Sequence, residues 1–317
     1  MDTQKFIKKT VKEIRETVGK EKALVALSGG VDSSVVTVLA RKAIGNQLIT
    51  VFIDGGLMRE GEGQWVRNTF AKMGIEVKIL DFSDVFFKAL KKKTDPEKKR
   101  GLGIERPFYK IVFPKLCRDY GAKFFFQGTI LTDREEFRAG WKLQHNVRAG
   151  LNPKKYGLPP VIEPLKNLRK DGVKEVAQAL GLPKEISERP PFLGPGLAGR
   201  IEGEVTPEKV ELIRKVTKIV EEEFSSIIKA VPKIQPFQYF PALLEGKATG
   251  IKDGRRNLGC QIAIRSVDSV DARTATATEL PRFFIDALVK KITNEIPEVT
   301  RVFYDYTPKP PATIEYV

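Results

Sequence analysis

Short apolar runs alternate with amphipathic stretches along the first half of the chain. Residues 3–18 place apolar side chains at helical spacing, which predicts a first helix. Four short, nearly continuous apolar runs predict strands buried on both faces, at 23–27, 48–53, 77–80 and 123–126. A helix predicted over 62–73 lies between the second and third strands. This alternation predicts an α/β fold with a doubly wound parallel sheet, whose ligands bind beyond the carboxyl ends of the strands.

The pattern changes after a Pro- and Gly-rich stretch at 189–197. Beyond it, long helical patterns at about 207–223 and 280–294 are combined with short strand patterns near 257–267 and 300–306. We therefore predict two domains, an α/β domain over 1–189 and a smaller α+β domain over 190–317.

Two segments of the first domain show no regular period. Residues 91–107 are strongly basic, which is typical of a solvated surface or of a nucleic-acid contact. Residues 130–160 mix charge, Gly and Pro, and their length favours a functional lid over a simple linker.

Composition removes several classes of site. One histidine and two cysteines cannot form a zinc site, an iron-sulfur cluster or a disulfide scaffold. The chain has no apolar run of bilayer-spanning length and no signal-peptide core, which predicts a cytoplasmic protein. The net charge of +15 favours anionic ligands, either nucleotides or nucleic acid, and the 30% of charged residues fits a heat-adapted protein.

The chemistry begins directly after the first predicted strand, at Ser28-Gly29-Gly30-Val31-Asp32-Ser33-Ser34. Small residues at a helix N-terminus let backbone N–H groups approach an anion closely, and the three serine hydroxyls add donors. The lysine that follows the glycines in P-loop nucleotidases is missing here, which disfavours a γ-phosphate kinase.

This string resembles the pyrophosphate-binding loop of the N-type ATP pyrophosphatases, which cleave ATP between the α and β phosphates and adenylate an acceptor oxygen. The resemblance implies ATP and Mg²⁺ as cofactors. It also implies that Ser28, Gly30, Asp32 and Ser33 hold the leaving pyrophosphate, with Asp32 binding the metal. We place further ATP-binding residues around the same sheet edge, at Gly29, Val31, Ser34, Asp54 and Gly128.

The C-terminal string 301–315, which contains Lys-Pro-Pro-Ala-Thr-Ile-Glu, resembles the signature of the GMP synthetases, as do residues 191–198 and 203–209. The resemblance covers essentially the full chain and points to the stand-alone ATP pyrophosphatase subunit of the two-subunit archaeal type. It implies xanthosine monophosphate as the acceptor and a homodimer formed through the C-terminal domain. The acceptor would be bound by Arg256, Lys309, Thr313, Ile314 and Glu315.

The lone histidine bears on the source of ammonia. Class I glutaminases need a Cys and His pair, and His145 lies far from both cysteines in the sequence. A separate glutamine amidotransferase subunit is therefore the expected source of ammonia.

The predicted lid carries the candidate catalytic residues. Asp133, Glu136, Lys142 and His145 match the lid of GMP synthetases. A lysine there would neutralise charge at the α-phosphate, and an acidic residue would bind magnesium or accept a proton from ammonia.

The chain departs from the GMP synthetase pattern at several lid and acceptor positions: Gly55, Thr132, Phe137, Leu143, Gln144, Leu193 and Tyr306. These departures leave open a paralogue that adenylates another purine nucleotide. The basic composition also leaves open an RNA-binding or tRNA-modifying enzyme. A thiolating enzyme would need reactive cysteines, whereas Cys117 is expected to be buried.

Overall fold

A computed structural model describes residues 2–138, 156–187, 192, 195–252, 254–270 and 272–316. The helices are α1 Thr3–Val18, α2 Val31–Ile44, α3 Glu62–Ala71, α4 Ser83–Leu90, α5 Pro96–Lys98, α6 Phe113–Asp119, α7 Leu131–Arg138, α8 Lys170–Ala179, α9 Lys184–Ser187, α10 Pro207–Ala230 and α11 Arg282–Glu295. The strands are β1 Ala23–Ala26, β2 Leu48–Asp54, β3 Lys78–Asp81, β4 Phe124–Phe126, β5 Val161–Ile162, β6 Gln238–Leu243, β7 Ala248–Lys252, β8 Arg255–Asp268, β9 Thr276–Ala277 and β10 Val299–Tyr304.

The first sheet is parallel, with the strand order β3-β2-β1-β4-β5. The chain runs outward from β1 through β2 to β3 and then returns to the other side of β1 for β4 and β5. The direction of winding therefore changes between β1 and β4, which is where such sheets bind ligands. The predicted α/β, doubly wound architecture is confirmed.

The second sheet has a different construction. β8 pairs antiparallel with β6, β7 and β9 and parallel with β10. Helix α10 packs on β6, and α11 packs on α10 and β10. A buried layer that includes Val216, Phe224, Phe240 and Leu288 fills this part of the molecule. The mixed sheet agrees with the predicted α+β character of the C-terminal region.

The chain divides into two compact units with a discontinuous boundary. The first unit comprises 1–56, 61–89 and 101–194, and the second comprises 57–60, 90–100 and 195–317. The proposed domains 1–189 and 190–317 thus differ from these units in three short segments: residues 57–60 and 90–100 fall in the second unit, and residues 190–194 fall in the first. Among the described residues, none of the helices is long and apolar enough to cross a membrane.

The basic segment 91–107 is more ordered than the sequence predicts. It contains α5 and a wide-turn π-helix over Lys99–Glu105, and Lys99 is buried. Part of this positive charge therefore belongs to the interior of the second unit, which weakens the interpretation of the segment as a solvated surface or an RNA contact. Cys117 is buried as expected, and burial raises the pKa of its thiol to about 11.

The first residue of the 3-10 helix Gly196–Arg200 offers a test of packing in the second unit. Gly196 has φ +61°, and a Cβ built on it would lie 2.4 Å from the carbonyl oxygen of Leu57. That oxygen accepts a hydrogen bond from the Leu197 N–H at 2.7 Å. We expect Gly196→Ala to lower the free energy of unfolding by about 3 kcal/mol, because the left-handed backbone and the clash both oppose a side chain.

Urea or thermal unfolding measures this loss, and Gly246→Ala is the matched control. Gly246 has φ +88° but its nearest atom would lie 4.0 Å away, so only the conformational cost applies. Equal losses in the two variants would contradict the close approach at Gly196.

Candidate functional site

The loop after β1 forms a preorganised anion cradle. The Ser28 and Ser33 hydroxyls lie 3.0 Å apart, and Ser33 and Ser34 each donate to the Gly30 carbonyl, at 3.0 and 2.8 Å. Helix α2 begins after Gly30, which has no side chain to cap it. The N–H groups of Val31, Asp32 and Ser33 are therefore not occupied by a capping side chain, and the helix dipole favours an anion there.

Two glycines let neighbouring elements close tightly on this cradle. Gly29 has φ +83°, and a Cβ there would lie 2.8 Å from Val66 Cγ2 of α3. Gly128 follows β4, and its Cβ would lie 3.2 Å from the Ser33 backbone nitrogen. The predicted phosphate-loop residues and Gly128 are thus brought together at the switch point of the sheet.

Asp32 pairs with a residue that the sequence pattern did not indicate. Both carboxylate oxygens of Asp32 lie close to Lys170 Nζ at the start of α8, at 2.9 and 2.8 Å. The two side chains are 23% and 48% exposed, so the pair contributes little to stability. Its significance lies in its position, because it holds the Lys170 ammonium beside the anion cradle.

Asp54 lies at the end of β2, next to β1 in the sheet. Its carboxylate accepts the Gly56 N–H at 2.8 Å and so shapes the turn after the strand. A side chain at position 55 would meet the Phe86 ring at 3.0 Å. Gly55, which departs from the GMP synthetase pattern, therefore leaves the space that the bulky Phe86 ring occupies.

Helix α7 begins the predicted lid and is held firmly to the segment after β5. The Leu131 N–H donates to the Leu168 carbonyl at 2.8 Å, Arg134 donates to Asn167 Oδ1 at 3.0 Å, and Glu135 pairs with Arg169 at 2.7 Å. Asp133 accepts the Ile130 N–H at 2.9 Å and thereby caps the helix. The Glu136 side chain, Lys142 and His145 lie outside the described residues.

A buried arginine organises the C-terminal segment. The Arg265 guanidinium donates to the carbonyls of Thr307, Thr313 and Ile314 at 2.8 to 3.0 Å, and to Asp305 Oδ2 at 2.8 Å. These bonds fix the backbone just before the Lys-Pro-Pro-Ala-Thr-Ile-Glu string and near the end of the string itself. Ile314 is buried against Val267 and Ala275, which anchors the segment further.

The same segment places Glu315 in a strongly charged surrounding. Its Oε1 accepts Gln238 Nε2 at 2.5 Å, whereas its buried Oε2 has no hydrogen-bond partner among the described residues. Burial raises the pKa of this carboxyl, against the opposing effects of Arg200, Gln238, Arg100 and Arg265. A buried acceptor atom with unused capacity is a natural partner for a ligand N–H group.

Arg200 is the strongest counter-charge of this cluster. It is 1% exposed, and its guanidinium lies 5.1 Å from the centroid of the Phe240 ring. Burial lowers its pKa to about 10, while Glu315 acts in the opposite direction. Arg200 and Glu315 therefore form the charged centre of a candidate acceptor site within the second unit.

The remaining predicted acceptor residues divide into two groups. Lys309 and Thr313 lie in the segment fixed by Arg265, and Lys309 Nζ donates to the Ala272 carbonyl at 2.8 Å. Arg256 lies near the opposite end of β8 from Arg265, about 30 Å away along an extended strand. Within one chain, the structure does not bring Arg256 together with Glu315.

Sequence reasoning missed Lys170, Arg200, Gln238 and Arg265. Each is an ordinary residue type without a distinctive neighbouring pattern, and its partners are far away in the sequence. Arg200 comes two residues after the Pro- and Gly-rich string at 191–198. Only its burial, which the sequence does not reveal, distinguishes it from a surface arginine.

The donor set at Asp32 fits Mg²⁺. This ion is commonly bound by one or two carboxylates together with substrate phosphates, and the Asp32 carboxylate lies beside the anion cradle, where it would exchange Lys170 Nζ for the ion. Among the described residues, no group of three or more His, Cys, Asp or Glu side chains could hold a metal on its own. A metal at this site would therefore depend on the phosphates of a bound nucleotide.

Comparison with known protein families agrees with both halves of this geometry. Residues 225–316 match the family described as GMP synthase C terminal domain, and residues 2–104 match the family described as NAD synthase. Among solved structures, the NMN synthetase from Francisella tularensis is 17% identical with a TM-score of 0.48, and the match covers 67% of this chain and 85% of that one.

Curated relatives match over the whole length. A subunit of the GMP synthase [glutamine-hydrolyzing] from Archaeoglobus fulgidus is 52% identical, with 100% of both chains covered. The proteins of the same name from Methanopyrus kandleri and Pyrococcus abyssi are 46% and 47% identical, with 99% and 100% of both chains covered. With the phosphate loop at the switch point and the C-terminal segment around Glu315 both in place, the chain belongs to the family of ATP pyrophosphatase subunits of GMP synthase.

Proposed function

We propose that this chain is the adenylating subunit of a GMP synthase. It uses ATP to activate the C2 oxygen of xanthosine monophosphate, releases pyrophosphate, and lets ammonia displace AMP to give GMP. The observation that carries the proposal is the Glu315 cluster, because a buried carboxylate oxygen with unused acceptor capacity suits the ring N–H groups of a xanthine base. The relatives' shared name supports the same assignment.

The phosphate loop accounts for the first step. Pyrophosphate gathers negative charge as it leaves, and fixed N–H dipoles of α2 stabilise that charge without reorganisation. The Ser28 and Ser33 hydroxyls, which here bond to each other, with Ser33 also donating to the Gly30 carbonyl, would turn to donate to the phosphates, and Lys170 supplies a positive charge. Mg²⁺ held by Asp32 would offset further phosphate charge. The backbone of Gly29, Gly30, Val31 and Ser34, with Asp54 and Gly128, completes the proposed ATP site.

The predicted lid residues keep the roles proposed from the sequence. Lys142 would neutralise charge at the α-phosphate, and Glu136 and His145 would act near the entering ammonia. Asp133 has an additional role in this account, because its carboxylate caps α7 and fixes the point from which the lid segment departs.

We propose that the acceptor is held by Glu315, Arg200 and the segment fixed by Arg265, with Lys309, Thr313 and Ile314 around it. Arg200 and Arg265 favour the charged form of Glu315 and so oppose burial, which raises the pKa of this carboxyl. Arg256 is not part of this cluster within one chain.

Two partners complete the proposal. A separate glutamine amidotransferase subunit would supply ammonia in the cytoplasm.

A second copy of the chain would pack on the second unit, where Ile251 and Leu258 of the β7–β8 hairpin are 82% and 65% exposed. Light scattering on the purified chain reports the mass directly.

One assay tests the proposed reaction. The chain is incubated with ATP, Mg²⁺, ammonium and xanthosine monophosphate, and pyrophosphate, AMP and GMP are measured. We expect all three in equal amounts. No AMP release that depends on xanthosine monophosphate would overturn the proposal, and release with another purine nucleotide instead would favour the paralogue.

The contact between Asp32 and Lys170 places the Lys170 ammonium beside the proposed ATP site, which leads to a prediction for the KM for ATP. Lys170→Met should raise the KM for ATP at least about tenfold, because the loss of one charge-assisted phosphate contact costs roughly 1.5 kcal/mol or more. Lys174→Met is the matched control, since Lys174 is exposed on the same helix. Unchanged KM values for ATP in both variants would exclude Lys170 from the phosphate site.

A further inference from the structure

The segment Leu90–Arg100, which we name the strap, belongs to the second unit although its sequence neighbours on both sides belong to the first. Two short hydrogen bonds fix it there. The Lys92 N–H donates to Glu204 Oε1 at 2.6 Å, and Lys99 Nζ donates to the Ile201 carbonyl at 2.6 Å. The strap is thus tied to residues 201–204, directly after Arg200.

Lys99 is an unusual residue for this purpose because only 3% of it is exposed. Burial is the main influence on its ammonium and, with nearby Lys209, lowers its pKa to about 8. Glu202, Glu245 and Asp95 act in the opposite direction. Lys99 therefore changes its protonation state at mildly alkaline pH, well below an ordinary lysine.

An arginine is the sequence neighbour of each partner in the hydrogen bond between Lys99 and Ile201. Arg100 follows Lys99 in the strap, and Arg200 precedes Ile201 on the other side. Both guanidinium groups act electrostatically on the carboxyl of Glu315. The buried hydrogen bond from the Lys99 side chain to the Ile201 carbonyl therefore connects the two segments that carry Arg100 and Arg200, two of the counter-charges of Glu315.

We propose that Lys99 is a positioning residue of the acceptor site, whose bond to the Ile201 carbonyl holds Arg100 and Arg200 beside Glu315. The inference rests on the proposed function, because the acceptor is what this cluster would bind. A charged donor makes a bond roughly twice as strong as a neutral one, so the protonated Lys99 holds the cluster more firmly.

The direction of the pH effect follows from the lowered pKa. At about pH 7 most of Lys99 is protonated, whereas at about pH 9.5 little of it is. Because acceptor binding favours the firmly held cluster, affinity should fall as the pH rises through about 8. By linkage, bound acceptor should raise the pKa of Lys99.

Titration calorimetry with xanthosine monophosphate measures how acceptor affinity depends on pH. The titrations contain α,β-methylene ATP and Mg²⁺ but no ammonia, so that no turnover occurs. For the wild-type chain we expect a dissociation constant about tenfold weaker at about pH 9.5 than at about pH 7. Lys99→Met should bind weakly at both pH values, with little difference between them. Lys98→Met should behave as wild type, since Lys98 is the exposed neighbour of Lys99 in the strap.

The outcomes separate the two proposals. Wild-type protein that binds equally well at both pH values overturns the positioning role, and this holds even if Lys99→Met does not fold. A folded Lys99→Met variant with wild-type affinity and pH dependence overturns it as well. Wild-type protein that binds no xanthosine monophosphate at either pH, and fails the activity assay, overturns the proposed function itself.

Discussion

The Asp32→Asn variant is expected to release pyrophosphate about 10²–10³-fold more slowly than the wild-type chain, with saturating ATP and xanthosine monophosphate. Asn keeps the size of the side chain but removes the charge that would hold Mg²⁺. It also removes the partner of Lys170, whose Nζ lies 2.8 Å from Asp32 Oδ2. Continuous detection of pyrophosphate measures the effect.

Stability does not confound this experiment, because the ion pair of Asp32 is partly exposed and worth at most about 1 kcal/mol. Thermal unfolding should therefore be nearly unchanged. Asp171→Asn, one residue after Lys170 and exposed, is the control for a lost surface carboxylate. A turnover within a factor of about three of wild type would contradict the placement of the leaving group at the loop after β1.

The Glu315→Gln variant should lose about a hundredfold in kcat/KM for xanthosine monophosphate, while its KM for ATP stays the same. Truncating one member of a buried, hydrogen-bonded charge group costs about 2–5 kcal/mol, much of it from the charges left behind. Here those charges are Arg200, Arg100 and Arg265. Initial rates at varied acceptor and fixed saturating ATP separate the two constants.

Glu298→Gln is the comparison for this variant, because Glu298 is an exposed glutamate of the same unit. It should keep wild-type kinetics. If Glu315→Gln raised the KM for ATP and left the acceptor constant unchanged, the assignment of the C-terminal segment to the acceptor would be wrong.

The first sheet was predictable because β1, β2 and β4 are short, largely buried apolar runs, and the partly exposed strand β3 still carries apolar residues at its centre. The structure has β1, β2, β3 and β4 within two residues of the predicted positions. Strands β5, β6, β7 and β9 were missed: β5 and β9 have only two residues each, β7 is partly exposed, and Pro241 interrupts the apolar run of β6. The strap was misjudged because charge along the sequence does not reveal which lysine is buried.

The site was predictable to the extent that its residues are contiguous. The string from Ser28 to Ser34 and the C-terminal string each fold locally, so their residues could be selected from the sequence. Lys170 meets Asp32 from 138 residues away, and Gln238 meets Glu315 from 77 residues away. Such partners are chosen by the tertiary fold, and an isolated Lys or Gln gives no sign of them.

The most direct test of the central claim follows the oxygen atom that the proposed adenylation would transfer. Xanthosine monophosphate labelled with heavy oxygen at C2 is converted with ATP, Mg²⁺ and ammonium, and the AMP is analysed by mass spectrometry. We predict that the label appears in the phosphate of AMP, because the acceptor oxygen attacks the α-phosphate and leaves with it. Unlabelled AMP formed together with GMP would contradict adenylation of the acceptor.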